Sequence, residues 1–141
     1  MNLYAESSAV LSWIFREEPA SRLKEILDGA DLVVASDLTL VECERALVRA
    51  RAMGELSDHE ALQRKRLFAA VTAGWMVLRL DREVLERAGR RFPAEPLRTL
   101  DALHVASALA AQSAISDLAL LSLDRRVREN GVALGFDVLP A

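Results

Sequence analysis

Cysteine is almost absent from the 141 residues of this chain. The single one, Cys43, excludes a disulfide framework and a thiolate metal cluster, and reads as a small buried hydrophobe in a reducing compartment. Histidine is nearly as scarce, and His59 and His104 are not spaced as a two-histidine metal site. Aromatic residues make up 5% of the chain, too few for a broad base-stacking platform. Basic residues are not in excess: the formal net charge is −3, which excludes the general basic footprint of a sequence-reading DNA binder but leaves nucleic acid open as a substrate. The longest apolar run, "VASALAAQSAI", is too short and too rich in small residues to span a bilayer. The N-terminus shows no basic stretch leading into an apolar core and cleavage site, so no signal peptide is expected. These absences together predict a soluble, cytoplasmic protein.

What is present is an ordinary globular composition, 52% apolar and 28% charged, at a length that fits one domain over residues 1–141 and can bury a core without staples. Short β-rich runs alternate with helical periodicity. "MNLYA" reads as a strand and "SAVLSWIFREE" as a helix. Pro19 opens a second helix through "SRLKEILDG" that Gly29 stops. The strand "DLVVAS" leads into the helix "LTLVECERALVRARAMG", capped by Ser36 or Asp37 and closed by Gly54. Ser57, three residues before Glu60, forms a capping box that starts a separate helix. "WMVLRL" is a strand and "DREVLERAGRRF" a helix; Pro93 and Pro96 punctuate a loop. Thr99 is expected to cap "LDALHVASALAAQ". A buried strand "LALLSL", a short helix "DRRVRENGVALG" and a last strand "FDVLP" follow. Strands interleaved with one or two helices imply an α/β fold with a parallel sheet covered on both faces.

In open parallel sheets the functional crevice lies at the carboxyl ends of the strands, where strand order reverses. Acids at strand ends and helix starts therefore matter most. Glu6 closes the first strand, Glu42 sits in the first turns of its helix, Asp101 in the first turn after Thr99, and Asp124 closes "LALLSL". Each could simply complement a helix dipole, worth a few tenths to about 1 kcal/mol. The apolar surroundings of Glu42 and Asp101 weaken that reading, because an uncompensated buried carboxylate is costly. Four acids converging on one crevice would repel one another unless a cation or extra protons were present. Oxygen-only ligands suit magnesium or manganese and not zinc. His104, three residues after Asp101, shares its helix face, either as a packed structural residue or as a support to the acids.

The stretches "LYAESSAVL", "SDLTLVECERAL", "LRTLDALHVASAL" and "LALLSLDRRVRENGVALGFDVLP" resemble, in order and spacing, the four signature blocks of PIN-domain ribonucleases, specifically the VapC-like toxins of bacterial toxin–antitoxin pairs. The resemblance runs from one end of the chain to the other. It implies a three-layer α/β/α sandwich with a central parallel sheet. It further implies magnesium- or manganese-dependent endonucleolytic cleavage of RNA, such as tRNA or rRNA, by a homodimer whose site a cognate antitoxin covers. Carried over by position, the family's four acids fall on Glu6, Glu42, Asp101 and Asp124, with Ser8 and Ser122 as the accompanying hydroxyls. Glu6, Asp101 and Asp124 are then the expected metal ligands, and Glu42 a water-positioning or second-metal residue. The first block of the family usually carries aspartate. Glu6 is longer by a methylene, where metal–oxygen distances are held near about 2.0–2.1 Å.

Without metal such a crevice repels RNA, so binding has to come from basic residues outside it. Arg125 and Arg126 adjoin Asp124 and are the expected phosphate contacts. Arg45, Arg49, Arg51, the run Arg64 to Arg66 and Arg128 read more simply as solvated surface with intrahelical pairs such as Glu42 with Arg45. Trp13, Phe15 and Trp75 fit core packing, a dimer face or an antitoxin groove better than RNA stacking. Two other readings compete. A receiver-like signalling domain also places acids at strand ends, but it needs a late lysine, and Lys24 and Lys65 are the only lysines here. A PIN-fold scaffold that binds RNA or a partner without efficient cleavage is kept open by Glu6.

Overall fold

The computed structural model describes all of residues 1–141. Its strands are β1 (Asn2–Ala5), β2 (Leu32–Ser36), β3 (Met76–Leu78), β4 (Leu118–Leu121) and β5 (Val138–Leu139). They form one sheet in the order β3-β2-β1-β4-β5, with every pairing parallel. The helices are α1 (Ser7–Ile14), α2 (Ala20–Asp28), α3 (Asp37–Ala52), α4 (Asp58–Thr72), α5 (Arg82–Ala88), α6 (Thr99–Ala114) and α7 (Arg125–Ala133).

Side-chain alternation along the strands sorts the core into two layers. Leu3, Ala5, Val33, Ala119 and Leu121 face one way and pack on Val10 and Ile14 of α1, Leu23 of α2, Cys43 and Leu47 of α3, and Phe68 of α4. Tyr4, Val34, Leu118 and Leu120 face the other way, against Val84 of α5, Val105 and Ala108 of α6, and Val127 of α7. Connections between parallel strands are right-handed, so crossovers that run in opposite directions along the sheet fall on opposite faces. The chain moves outward from β1 to β3, laying α1 to α4 on one face, and then returns to β4, laying α5 to α7 on the other. The result is the three-layer α/β/α sandwich expected from the sequence. Strand order reverses between β1 and β4, and the ends of those two strands carry Glu6 and Asp124.

Most boundaries follow the local signals. Ser36 caps α3 by accepting from the Thr39 amide, and the Ser57–Glu60 capping box starts α4. Gly54, at φ +75°, takes the left-handed position that ends α3, where its lack of a Cβ removes the steric penalty. Three expectations shift. The first helix stops at Ile14 and not near Glu18, because Arg16 adopts φ +54°. The Arg16 and Glu17 amides then bond back to the Trp13 and Ser12 carbonyls at 3.1 and 3.0 Å, which closes the helix as a glycine would. The helix α5 ends at Ala88, before Gly89, well short of Phe92. Finally, Thr99 is the first residue of α6 and not its cap; Arg98 holds the cap position and offers no side-chain hydrogen bond. Trp13 is buried in the core, with Phe15 and Trp75 packed against it. No helix is long and apolar enough to cross a membrane.

Candidate functional site

Glu6 follows β1 directly. Its amide continues the ladder to the Leu121 carbonyl at 3.0 Å, and its backbone turns into α1 as the cap residue. The carboxylate, 3% exposed, is surrounded by donors. Oε1 accepts from the Ser8 amide at 3.1 Å and from Ser7 Oγ at 2.9 Å. Oε2 accepts from Ser122 Oγ at 2.7 Å and from Ser8 Oγ. An ionised carboxylate has about four lone-pair sites, and here all four are taken by the chain itself.

Ser8 transmits that arrangement to the neighbouring strand. Its Oγ accepts from the Leu123 and Asp124 amides at 2.9 and 3.1 Å while giving its proton to Glu6. Ser122 Oγ accepts from the Asp124 amide at 3.1 Å. The turn after β4 is thereby tied to Glu6 by two hydroxyls, and Asp124 is set in place. Asp124 Oδ1 then caps α7 through the Val127 amide at 2.9 Å; its other oxygen accepts nothing from the chain.

Asp101 enters from the third position of α6, a helix on which the nearby Ala102 and Val105 are also buried. Burial pushes its carboxyl above the ordinary aspartate range, and the charges of Asp124 and Glu6 push it the same way; only Arg98 opposes them. Arg98 Nε lies 3.3 Å from Asp101 Oδ2, leaving Oδ1 without a partner. Elevation of a carboxyl group by neighbouring carboxylates is relieved by an added cation.

Glu42 reaches the same place from α3. It does not pair with Arg45. Its Oε1 instead lies 2.5 Å from His104 Nε2 and 3.1 Å from Ser7 Oγ, while Oε2 has no partner in the chain. His104 is 1% exposed, and its Nε2 is also 3.0 Å from Ser7 Oγ and 3.7 Å from Glu6 Oε1. All four acids of the sequence reading therefore meet at the reversal of strand order, with Ser8, Ser122 and His104 among them. His59 is exposed on α4 and takes no part.

The basic residues divide. Arg125 is highly exposed, with Glu129 3.7 Å away. Arg126 gives one hydrogen bond to the Pro96 carbonyl at 2.8 Å. Arg128 is committed to structure, donating to the carbonyls of Ser122, Leu139 and Pro140. Three residues that matter here went unnoticed in the sequence. Ser7 links Glu6, Glu42 and His104. Arg98 faces Asp101 from three residues upstream, a helical spacing that could have flagged it. Asn130, fully buried, binds both the amide and the carbonyl of Ala94 at 2.9 Å and holds the loop before α6 against α7.

No three carboxylate or imidazole groups stand close enough together to enclose an ion by themselves. Magnesium does not ask for that, since it keeps several waters and takes one or two carboxylates. The unpartnered oxygens of Asp101 and Asp124 are the donors that fit it, and Glu42 Oε2 is likewise free of any partner in the chain. Glu6 offers no free lone pair.

The chain is similar to known proteins over nearly its whole length. Ribonuclease VapC46 of Mycobacterium tuberculosis (strain ATCC 25618 / H37Rv) is 33% identical over 138 residues, spanning 97% of this chain and 95% of that protein. The crystal structure of Mycobacterium tuberculosis VapC20, a sarcin-ricin loop cleaving toxin, matches with a TM-score of 0.68 at 16% identity, covering 98% of this chain and 99% of that one. A toxin–antitoxin complex from Klebsiella pneumoniae matches with a TM-score of 0.64 at 16% identity, covering 99% and 97%. At such identities the two structures speak for the fold alone. The PIN domain pattern itself matches residues 3–132, and with the acids gathered at the strand reversal, the chain belongs to the PIN domain family.

Proposed function

We propose that this protein is the toxin of a toxin–antitoxin pair, a magnesium- or manganese-dependent endoribonuclease that hydrolyses phosphodiester bonds in an RNA such as tRNA or rRNA. The observation that carries the reading is the pairing of Asp101 with Asp124. Each carboxylate keeps an oxygen that accepts nothing from the chain, and after burial the charge of Asp124 is the next cause that raises the Asp101 carboxyl. A divalent cation bound there would lower the pKa of a water and neutralise charge building on the phosphate.

The roles of the chain's own residues follow from their surroundings. Asp101 and Asp124 would hold the cation. Glu42, with Oε1 fixed and Oε2 free, orients the attacking water. Glu6, expected from the sequence to be a third ligand, acts differently: its hydrogen bonds to Ser8 and Ser122 fix the turn that presents Asp124, and its charge adds to the pull on the cation. Arg125 and Arg126 contact RNA phosphates at the rim, where Arg98 would join them if Asp101 were neutralised by a cation. Relatives named as ribonucleases and a neighbour solved as a toxin–antitoxin complex support this reading. The partners are the RNA, a cognate antitoxin and a second copy of the chain, and the compartment is the cytoplasm.

The test is incubation of the purified, antitoxin-free protein with total and transfer RNA. Discrete fragments should appear with magnesium or manganese and vanish with chelator and in Asp101→Asn and Asp124→Asn. Undiminished cleavage by both variants would refute the assignment.

A further inference from the structure

Glu42 differs from its neighbours in how it is held. Glu6 and Asp124 are fixed as caps at helix starts, and Asp101 lies in the first turn of α6. Glu42 sits in the second turn of α3, where no backbone amide is available to it, and its side chain is 28% exposed. A glutamate in that setting has several rotamers open to it. Its one donor is His104 Nε2 at 2.5 Å; Ser7 Oγ lies 3.1 Å from the same oxygen but gives its single proton to Glu6.

His104 gains nothing from its position as packing. It is 1% exposed, and its Nδ1 has no hydrogen-bond partner; nor do the buried Tyr4 hydroxyl and Ser107 Oγ. An apolar side chain of similar volume would fill the space without desolvating two ring nitrogens. An ionised carboxylate oxygen only accepts, so Nε2 carries the proton in the contact with Glu42. The ring and the carboxylate come from opposite faces of the sheet, α6 and α3, and meet over the end of β1 with Ser7 between them.

We infer that His104 is the positioning residue for Glu42, clamping Oε1 so that Oε2 alone is presented to the crevice. The inference rests on the hydrolytic reading of the site for its kinetic consequence, while the pairing itself is independent of that reading. Fixing one oxygen of a carboxylate defines the direction in which the other accepts a proton from water, the kind of alignment on which rate depends steeply. Removing such outer partners of a catalytic group commonly lowers activity by about 10–100-fold.

The experiment combines kinetics with spectroscopy on the full chain. His104→Leu is expected to lower kcat by about 10–100-fold while KM for RNA stays within about threefold. His104→Gln, whose amide nitrogen can donate from near the same place, is expected to recover most of the loss and to stay folded if the Leu variant does not. In a Glu42→Gln background, His104→Leu should cost little more, because the carboxylate oxygen that His104 orients is already gone. Independent, multiplying losses, or no advantage of Gln over Leu, would overturn the inference. Without any cleavage assay, nitrogen-15 NMR of labelled imidazoles reads the pairing directly. Glu42→Gln should move the His104 Nε2 resonance and leave the exposed His59 unchanged. An unmoved His104 signal would refute the pairing even where RNA cleavage is intact, and a moved signal without RNA cleavage would reject only the ribonuclease reading.

Discussion

Replacing Glu6 by glutamine should destabilise the metal-free protein although it removes a charge from an acidic cluster. The carboxylate accepts four hydrogen bonds, from the Ser8 amide and from the hydroxyls of Ser7, Ser8 and Ser122. Glutamine has one acceptor oxygen, so two of the four are lost, and its amide protons must then face hydroxyls. Ser8 Oγ cannot adapt, since its lone pairs already serve the Leu123 and Asp124 amides. Two buried bonds to a charged acceptor amount to about 3–4 kcal/mol. Relief of repulsion with Asp101 and Asp124 offsets about 0.5–1 kcal/mol, as for partly screened charges. The net loss is about 2–3 kcal/mol, which at this chain length lowers Tm by about 6–12 °C. Glu6→Asp keeps the charge and the cap, for which aspartate is well suited, and gives up mainly the reach to Ser122, costing about 1 kcal/mol. Urea denaturation in chelator measures both. A glutamine variant within about 0.5 kcal/mol of the parent, or an aspartate variant less stable than glutamine, would refute the saturated-carboxylate argument.

Asp101→Asn should act in the opposite sense. Burial and neighbouring acids raise the folded-state pKa of Asp101, so its contribution to stability is fully present below the unfolded value near 4 and is lost as pH rises through the raised one. Parent and variant should therefore diverge in urea midpoint above that window, the variant being the more stable in chelator, and manganese should stabilise only the parent. Gly131→Ala would place a Cβ 2.6 Å from Leu120 Cδ2 and 3.1 Å from Val138 Cγ2; overpacking of α7 against β4 and β5 should cost about 1–3 kcal/mol in urea denaturation. Asn130→Ala removes both bonds to Ala94 and leaves its amide and carbonyl unpaired, a loss of about 2–4 kcal/mol. Hydrogen exchange at the Ala94 amide should accelerate in that variant while amides of β1 stay protected.

The sequence carried the layers and the acids because both depend on local pattern. The short apolar runs "NLYA" and "LALL", the Ser57–Glu60 box and the cap at Asp124 act over a few residues, and the structure keeps them. Boundaries went wrong where no local signal exists. Arg16 ends α1 in a left-handed conformation without a glycine to announce it, and Arg98 starts α6 beside a threonine that looked like the better cap. Glu42 shows the deeper limit: helical spacing offered it Arg45, whereas its partner is His104, 62 residues away. Separation in sequence likewise hid Ser7 as a link, 35 residues from Glu42 and 97 from His104, and Asn130 as the anchor of the Ala94 loop, 36 residues away. Glu6 was legible as a site residue, but its role depends on hydroxyls from α1 and from the turn after β4, which only the folded chain brings together.

The measurement that tests the central claim most directly is the chemistry of the RNA ends produced with magnesium or manganese and with chelator. Hydrolysis by an oriented water, with Asp101 and Asp124 holding the cation, predicts cuts that leave ordinary phosphate and hydroxyl ends, that survive a 2′-deoxy substitution at the scissile nucleotide, and that disappear with chelator. Ends carrying a 2′,3′-cyclic phosphate, formed equally well in chelator, would mean attack by the RNA's own 2′-hydroxyl and would contradict the account.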